Sequence, residues 1–327
     1  MVRLRRILIA LLIVALALAG LWFFGPREPV DLAVTFDPAE IGADPESYLK
    51  REEADIPNLR LEAQKQIVWA YPASRAKTPL AIVYIHGFSA SKAELRPLPD
   101  EIAGALHANL FFTRLDGHGR DGPGLAITDV NAWVNDLAEA LAIADRIGEK
   151  TVIVANSTGA ALATLGATVP GLMKNVQGLV LMSPNYRLQD WRAPLLTFPF
   201  ARKLVPLFGS ETTAAATSNP EIEKHWTRSF PTVSYLPMAA LAKAARSADV
   251  STIRIPAFFL FSPEDRVIDP NAVRAVASRW GAPAETMEVT GDSDPAHHVL
   301  AGDIISPATT DALAARIVDW IRSLPTN

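Results

Sequence analysis

A chain of 327 residues with 49% hydrophobic and 20% charged side chains can bury a large core, and the absence of repeats or long low-complexity tracts excludes a solenoid or a largely disordered protein. There is no cysteine, which excludes disulfides, thiolate metal sites and cysteine nucleophiles. The net charge is −4, but Arg3, Arg5 and Arg6 precede every acid, so the rest of the chain carries 28 basic against 35 acidic side chains and is a poor partner for nucleic acid.

The first 25 residues read as a separate module. "MVRLRR" precedes "ILIALLIVALALAGLWFF", an uncharged run of about 18 residues, about 27 Å long as a helix and close to the hydrocarbon thickness of a bilayer. "ALA" at 17–19 offers a signal-cleavage site, and cleavage there would make the protein secreted. The apolar run continues through Leu21, Trp22, Phe23 and Phe24, an aromatic group suited to a membrane interface, which favours an uncleaved transmembrane anchor. Arginines before the run, with Glu28 and Asp31 after it, put the N-terminus in the cytoplasm and the globular part outside, in the periplasm if the source is a bacterium. Residues 26–60, rich in Pro, Asp and Glu, are expected to be a tether with a short helix near 46–53, and residues 61–327 the globular domain.

Within that domain short apolar runs alternate with helical periodicity. Strands are expected at "QIVWA" (66–70), "LAIVYIH" (80–86), "NLFFTR" (109–114), "TVIVA" (151–155), "GLVLMS" (178–183), "AFFLFS" (257–262) and "ETMEV" (285–289). Helices are expected at about 92–107, 129–147, 158–168, 270–280 and 309–323. The alternation predicts an α/β fold, a doubly wound, mainly parallel sheet covered on both faces. One interval breaks the rhythm. Residues at about 186–252 contain "WRAPLLTFPFARKLVPLFG" and "SETTAAATSN", and are expected to form a cap insertion whose apolar side chains would select an apolar group.

In an open parallel sheet, ligands bind beyond the carboxyl ends of the strands. Those ends deliver His86-Gly87-Phe88, then Asp116-Gly117-His118-Gly119, then Ser157, then Glu264-Asp265-Arg266-Val267, and finally Gly291 to His298. Ser157 sits where "TVIVA" gives way to a small-residue helix, with Ala155 and Gly159 two positions to either side. That is the pattern of a nucleophile elbow, usually G-x-S-x-G, with alanine for the first glycine. The bland alternative is a serine that only caps the helix. A serine hydroxyl needs an imidazole to take its proton, and the imidazole needs a carboxylate to fix its tautomer, so the partners decide.

"HGF", "DGHG", "ANSTGA", "PEDRVIDP" and "HHVLAGD" resemble motifs of the α/β-hydrolase superfamily, in its monoacylglycerol lipase, carboxylesterase and serine aminopeptidase-like group, from about residue 66 to the end. The resemblance implies the α/β-hydrolase fold with a cap insertion after the sixth strand. It implies catalysis by Ser157, Asp265 and His298 in the order Ser…Asp…His, and backbone N–H donors for an oxyanion at Phe88 and Thr158. Rivals are Glu264, Asp292 or Asp294 as the acid and His297 as the base. His86 and His118 are expected to hold loops, and His225 to be exposed or to line the pocket wall. The six histidines are scattered and lack H-E-x-x-H spacing, so neither metal nor other cofactor is expected. The expected activity is hydrolysis of carboxylic esters, including lipid-derived ones such as monoacylglycerols, with the membrane as a partner through the N-terminal helix. Amide or peptide cleavage by the same triad, and a non-catalytic binding protein, are the alternatives.

Overall fold

The structure is a computed structural model and describes residues 2–208, 212–214 and 217–325. In chain order the helices are α1 (Val2–Phe24), α2 (Pro45–Ala54), α3 (Leu98–Leu106), α4 (Gly122–Ala126), α5 (Val130–Ile147), α6 (Ser157–Gly166), α7 (Ala201–Phe208), α8 (Pro220–His225), α9 (Tyr235–Ser247), α10 (Pro270–Ala277) and α11 (Pro307–Ser323). The strands are β1 (Gln66–Val68), β2 (Thr78–Ile85), β3 (Asn109–Phe112), β4 (Gly148–Asn156), β5 (Val176–Met182), β6 (Thr212–Ala214), β7 (Ser229–Pro231), β8 (Ala257–Phe261) and β9 (Ala284–Glu288). Seven strands form one sheet in the order β1-β3-β2-β4-β5-β8-β9, with only β1 antiparallel to its neighbour. Each strand expected from an apolar run is present.

The two-residue period of a strand explains the two cores. Ala81, Val83 and Ile85 of β2, with Ile153 and Ala155 of β4, face a core shared with α5, α6, α9 and α10. Ile82, Tyr84, Val152 and Val154 face the other core, shared with α3 and α11. Strands buried on both faces cannot alternate apolar with polar, which is why they appear in the sequence as continuous apolar runs.

Three expectations need correction. The insertion follows the fifth strand of the sheet, not a sixth, because among the described residues no strand precedes β1. It is also shorter than 186–252. After α7 and the antiparallel pair β6–β7, with α8 between its two strands, the chain returns in α9 to cover the sheet, with Met238, Leu241 and Ala245 buried in the core that includes α6. Residues 209–211 and 215–216 of the expected apolar and small-residue stretches lie outside the described residues. Thirdly, the segment 26–60 is no free tether. Ile41, Tyr48 and Leu49 are buried in the α5-side core, Tyr48 Oη donates to Glu139 at 2.8 Å, and Glu53 pairs with Arg114 at 2.8 Å out of solvent. Its apolar side chains recur at helical spacing and find α5, which outweighs the polar composition.

α1 projects with its apolar side chains exposed. Its C-terminal end meets the insertion: the Trp22 and Phe198 rings pack edge to face at 4.8 Å, Phe200 N–H donates to Pro26 C=O at 2.7 Å, and Glu28 pairs with Arg202.

Candidate active site

The local sequence builds the turn that carries Ser157. β4 ends at Asn156 and α6 begins at Ser157, whose φ of 51° is in the left-handed region that a serine rarely occupies. A Cβ on Gly159 would lie 2.6 Å from the carbonyl oxygens of both Ile85 and His86, so the turn tolerates only glycine there. Ala155 is fully buried within the sheet, its methyl part of the apolar core. A side chain is therefore accommodated two residues before the serine, but not two after it.

The structure brings Ser157, His298 and Asp265 together from three strand ends. His298 Nε2 is 2.9 Å from Ser157 Oγ, and His298 Nδ1 is 2.8 Å from Asp265 Oδ2. Each partner is held from behind. Asp265 Oδ1 accepts from the N–H groups of Val267 and Ile268 at 2.7 and 2.9 Å. Asp294 Oδ2 accepts from the N–H groups of His298 and Val299, both at 2.9 Å, and Ser183 Oγ donates to the His298 carbonyl at 2.7 Å. Burial disfavours the imidazolium of His298, but the hydrogen bond and charge of Asp265, with Glu94 and Asp294 behind, outweigh it and raise the pKa above the ordinary histidine value.

The rivals fall elsewhere. His297 Nδ1 is 3.1 Å from Asp292, its Nε2 is 3.5 Å from the exposed Glu264, and none of these three side chains reaches Ser157. Asp294 holds the backbone of His298 rather than its ring. His86 Nε2 accepts from Leu115 N–H at 3.2 Å, and the His118 ring packs against it, tilted by 54° at 4.9 Å, so both tie loops together. Burial depresses both pKa values, that of His118 to about 4, which keeps the pair neutral. His225 lies in α8, half-shielded and 3.4 Å from Glu221. Asp294, Ser183 and Glu94 are the residues that sequence reasoning did not assign to supporting roles; only Asp294, directly before Pro295 within "DSDPAHH", carried a turn signal.

Phe88 and Thr158 flank the serine. Thr158 is the second residue of α6, where backbone N–H groups lack intrahelical partners. A Cβ on Gly87 would lie 3.2 Å from Ser157 Cβ, so the His86-Gly87-Phe88 turn passes close beside Ser157. A cavity of about 690 Å³ opens over Ser157 and His298, walled by Phe88, Leu188, Leu196, Tyr235, Met238 and Val267. Phe88 is packed in turn against Phe230 and Tyr235, with ring centroids 5.4 and 5.5 Å away, so the insertion is keyed to the turn. A second cavity of about 720 Å³, beside Lys150, Lys174 and Arg254 at the opposite strand ends, holds neither serine nucleophile candidate nor histidine.

Among curated proteins, the chain is similar to the thermostable monoacylglycerol lipase of Bacillus sp. (strain H-257), with 23% identity over 201 residues, covering 62% of this chain and 76% of that one. Among solved structures it superposes on one described under LipS and LipT, two metagenome-derived lipolytic enzymes, with a TM-score of 0.64 at 16% identity, covering 81% of this chain and 99% of that one. A soluble variant of monoglyceride lipase from Saccharomyces cerevisiae, in complex with a substrate analog, gives a TM-score of 0.61 at 12% identity, covering 81% of this chain and 92% of that one. Residues 82–305 match the sequence profile of the alpha/beta hydrolase family. That match spans more than half of the chain, and the chain belongs to the alpha/beta hydrolase family.

Proposed function

We propose that this protein is a serine hydrolase that cleaves carboxylic esters, and that lipid-derived esters such as monoacylglycerols are its substrates. The observation that carries the reading is the continuous hydrogen-bond chain from Ser157 Oγ through His298 to Asp265, at 2.9 and 2.8 Å. Ser157 Oγ attacks the ester carbonyl while His298 Nε2 takes its proton. The N–H groups of Phe88 and Thr158 receive the oxyanion, and His298 returns the proton to the departing alcohol. Water, activated by the same imidazole, then attacks the acyl-enzyme and frees Ser157. Asp265, hydrogen-bonded to Nδ1, stabilises the imidazolium.

Support for a lipid-derived ester comes from the apolar wall of the cavity and from the names of the similar lipases. The exposed apolar helix α1 supports membrane anchorage, and the arginines ahead of it support an extracytoplasmic catalytic domain. The test uses the full chain in detergent micelles, comparing wild type with Ser157→Ala for fluorophosphonate labelling and for hydrolysis of p-nitrophenyl esters and monoacylglycerols. Labelling and turnover that vanish together in the variant support the reading. Folded wild-type protein that neither labels nor turns over would sink it in favour of a binding role, and turnover of amides alone would redirect it to a peptidase.

A further inference from the structure

Glu94 is 4% exposed, borders the cavity and has no part in the hydrogen-bond chain of Ser157. Its Oε2 accepts from Gly87 N–H at 2.7 Å and from Tyr84 Oη–H at 3.0 Å. The point where a Cβ on Gly87 would stand is 2.8 Å from Glu94 Oε1 and 3.2 Å from Ser157 Cβ, so the carboxylate and the nucleophile border the same small space. A buried carboxylate is costly, and an apolar side chain of like volume would fill the space without that cost. Gly87 N–H belongs to the peptide just before the one that carries Phe88 N–H, so its direction governs where the latter points.

We propose that Glu94 is a positioning residue for the hydrolytic reaction, fixing the His86-Gly87-Phe88 turn against Ser157 and presenting a further negative charge to His298. The inference rests on the esterase reading above. Burial raises the Glu94 pKa above the ordinary glutamate value, against Gly87 N–H, the neighbouring Asn156 amide, Tyr84 and His298, so the carboxylate charge faces His298 only at pH above that raised value. The charged and titratable groups around His298 are Asp265 and Asp294 from its flanking loops, Glu94 from the turn after β2 and Arg266 at the cavity wall; His86 faces Leu115 instead.

Two variants separate the two contributions. Glu94→Gln keeps the shape and removes the charge, whereas Glu94→Asp keeps the charge and shortens the reach to Gly87. With p-nitrophenyl ester and the full chain in micelles, kcat is expected to fall about tenfold in both, below the roughly 10²–10³ lost with an oxyanion donor itself, with KM little changed. The acid limb of the kcat/KM–pH profile is expected to move to lower pH in Glu94→Gln and to stay in place in Glu94→Asp. Circular dichroism and melting establish folding, so either variant alone remains informative if the other fails to fold. Wild-type kcat and an unmoved acid limb in a folded Glu94→Gln overturn the proposal, as does a loss of thermal stability with kinetics unchanged in both. Ser157→Ala, run alongside, isolates the parent reading: if wild type and Ser157→Ala are equally active, the esterase assignment has failed; if only Ser157→Ala is inactive, Glu94 alone is refuted.

Discussion

At the carboxyl ends of β4, β8 and β9 the side chains that meet Ser157 are held by hydrogen bonds from several directions, whereas the insertion between β5 and α9 meets the site chiefly through apolar surface on its inner side. Asp265 is bonded to two backbone N–H groups and one imidazole, and His298 to Asp294, Ser183, Asp265 and Ser157. The insertion touches the site through the ring cluster of Phe88, Phe230 and Tyr235, while Trp191 (83% exposed), Leu195, Leu204 and Leu207 turn outward on the same stretch that meets the end of α1. Directional bonds fix the atoms of the proposed triad to within a few tenths of an ångström, and non-directional apolar contact leaves a wall suited, on the proposed reading, to acyl groups of more than one shape. On the proposed reading, the chemistry and the selection of substrate thus rest on different forces.

Changes at the strand ends are expected to act on kcat, steeply, and changes in the insertion on KM, gently. Ser157→Ala is expected to lower kcat by about 10⁵- to 10⁶-fold with folding intact, measured by ester turnover. Asp265→Asn is expected to cost about 10⁴-fold by stabilising the wrong tautomer of His298, again with near-wild-type melting. Because the base must be neutral and Asp265 favours its cation, kcat/KM is expected to fall about tenfold per pH unit on the acid side, with a midpoint above the ordinary histidine pKa of about 6.5. A midpoint below that value would break the assignment of His298.

Gly159→Ala drives a methyl to 2.6 Å from two backbone carbonyls, and is expected to cost about 1–3 kcal/mol of stability as well as activity, read by thermal melting. Leu196→Ala, in the cavity wall, is expected to leave kcat within about twofold and to raise KM a fewfold for long-chain esters, as one apolar contact to the acyl chain is lost. If Leu196→Ala instead abolished kcat, the insertion would share in holding the reacting atoms, and the division between the two regions would fail.

The strands were legible because a strand buried on both faces must be apolar throughout, and "LAIVYI", "TVIVA" and "AFFLF" are. The helix expected at 92–107 begins only at Leu98. Residues 92–97 form turns instead, and these carry Glu94 into the site. Pro97 and Pro99 mark the boundary in the sequence, but nothing local distinguishes Glu94 from a solvated glutamate at the start of a helix. The segment 26–60 misled for a related reason: its acids and prolines describe a soluble linker, while Glu53 acquires its buried role from Arg114, sixty-one residues away.

The sequence by itself determined the α/β alternation, the sharp turn at Ser157 and the order in which serine, acid and histidine leave their strands, since each follows from local periodicity or from spacing along one strand end. Tertiary structure alone decided that His298 rather than His297 faces the serine, that Glu94 lies beside it, and that the N-terminal segment packs on α5. Those outcomes depend on groups far apart in the chain meeting in a dry interior, where a charge is tolerated only beside the partner that the fold brings to it.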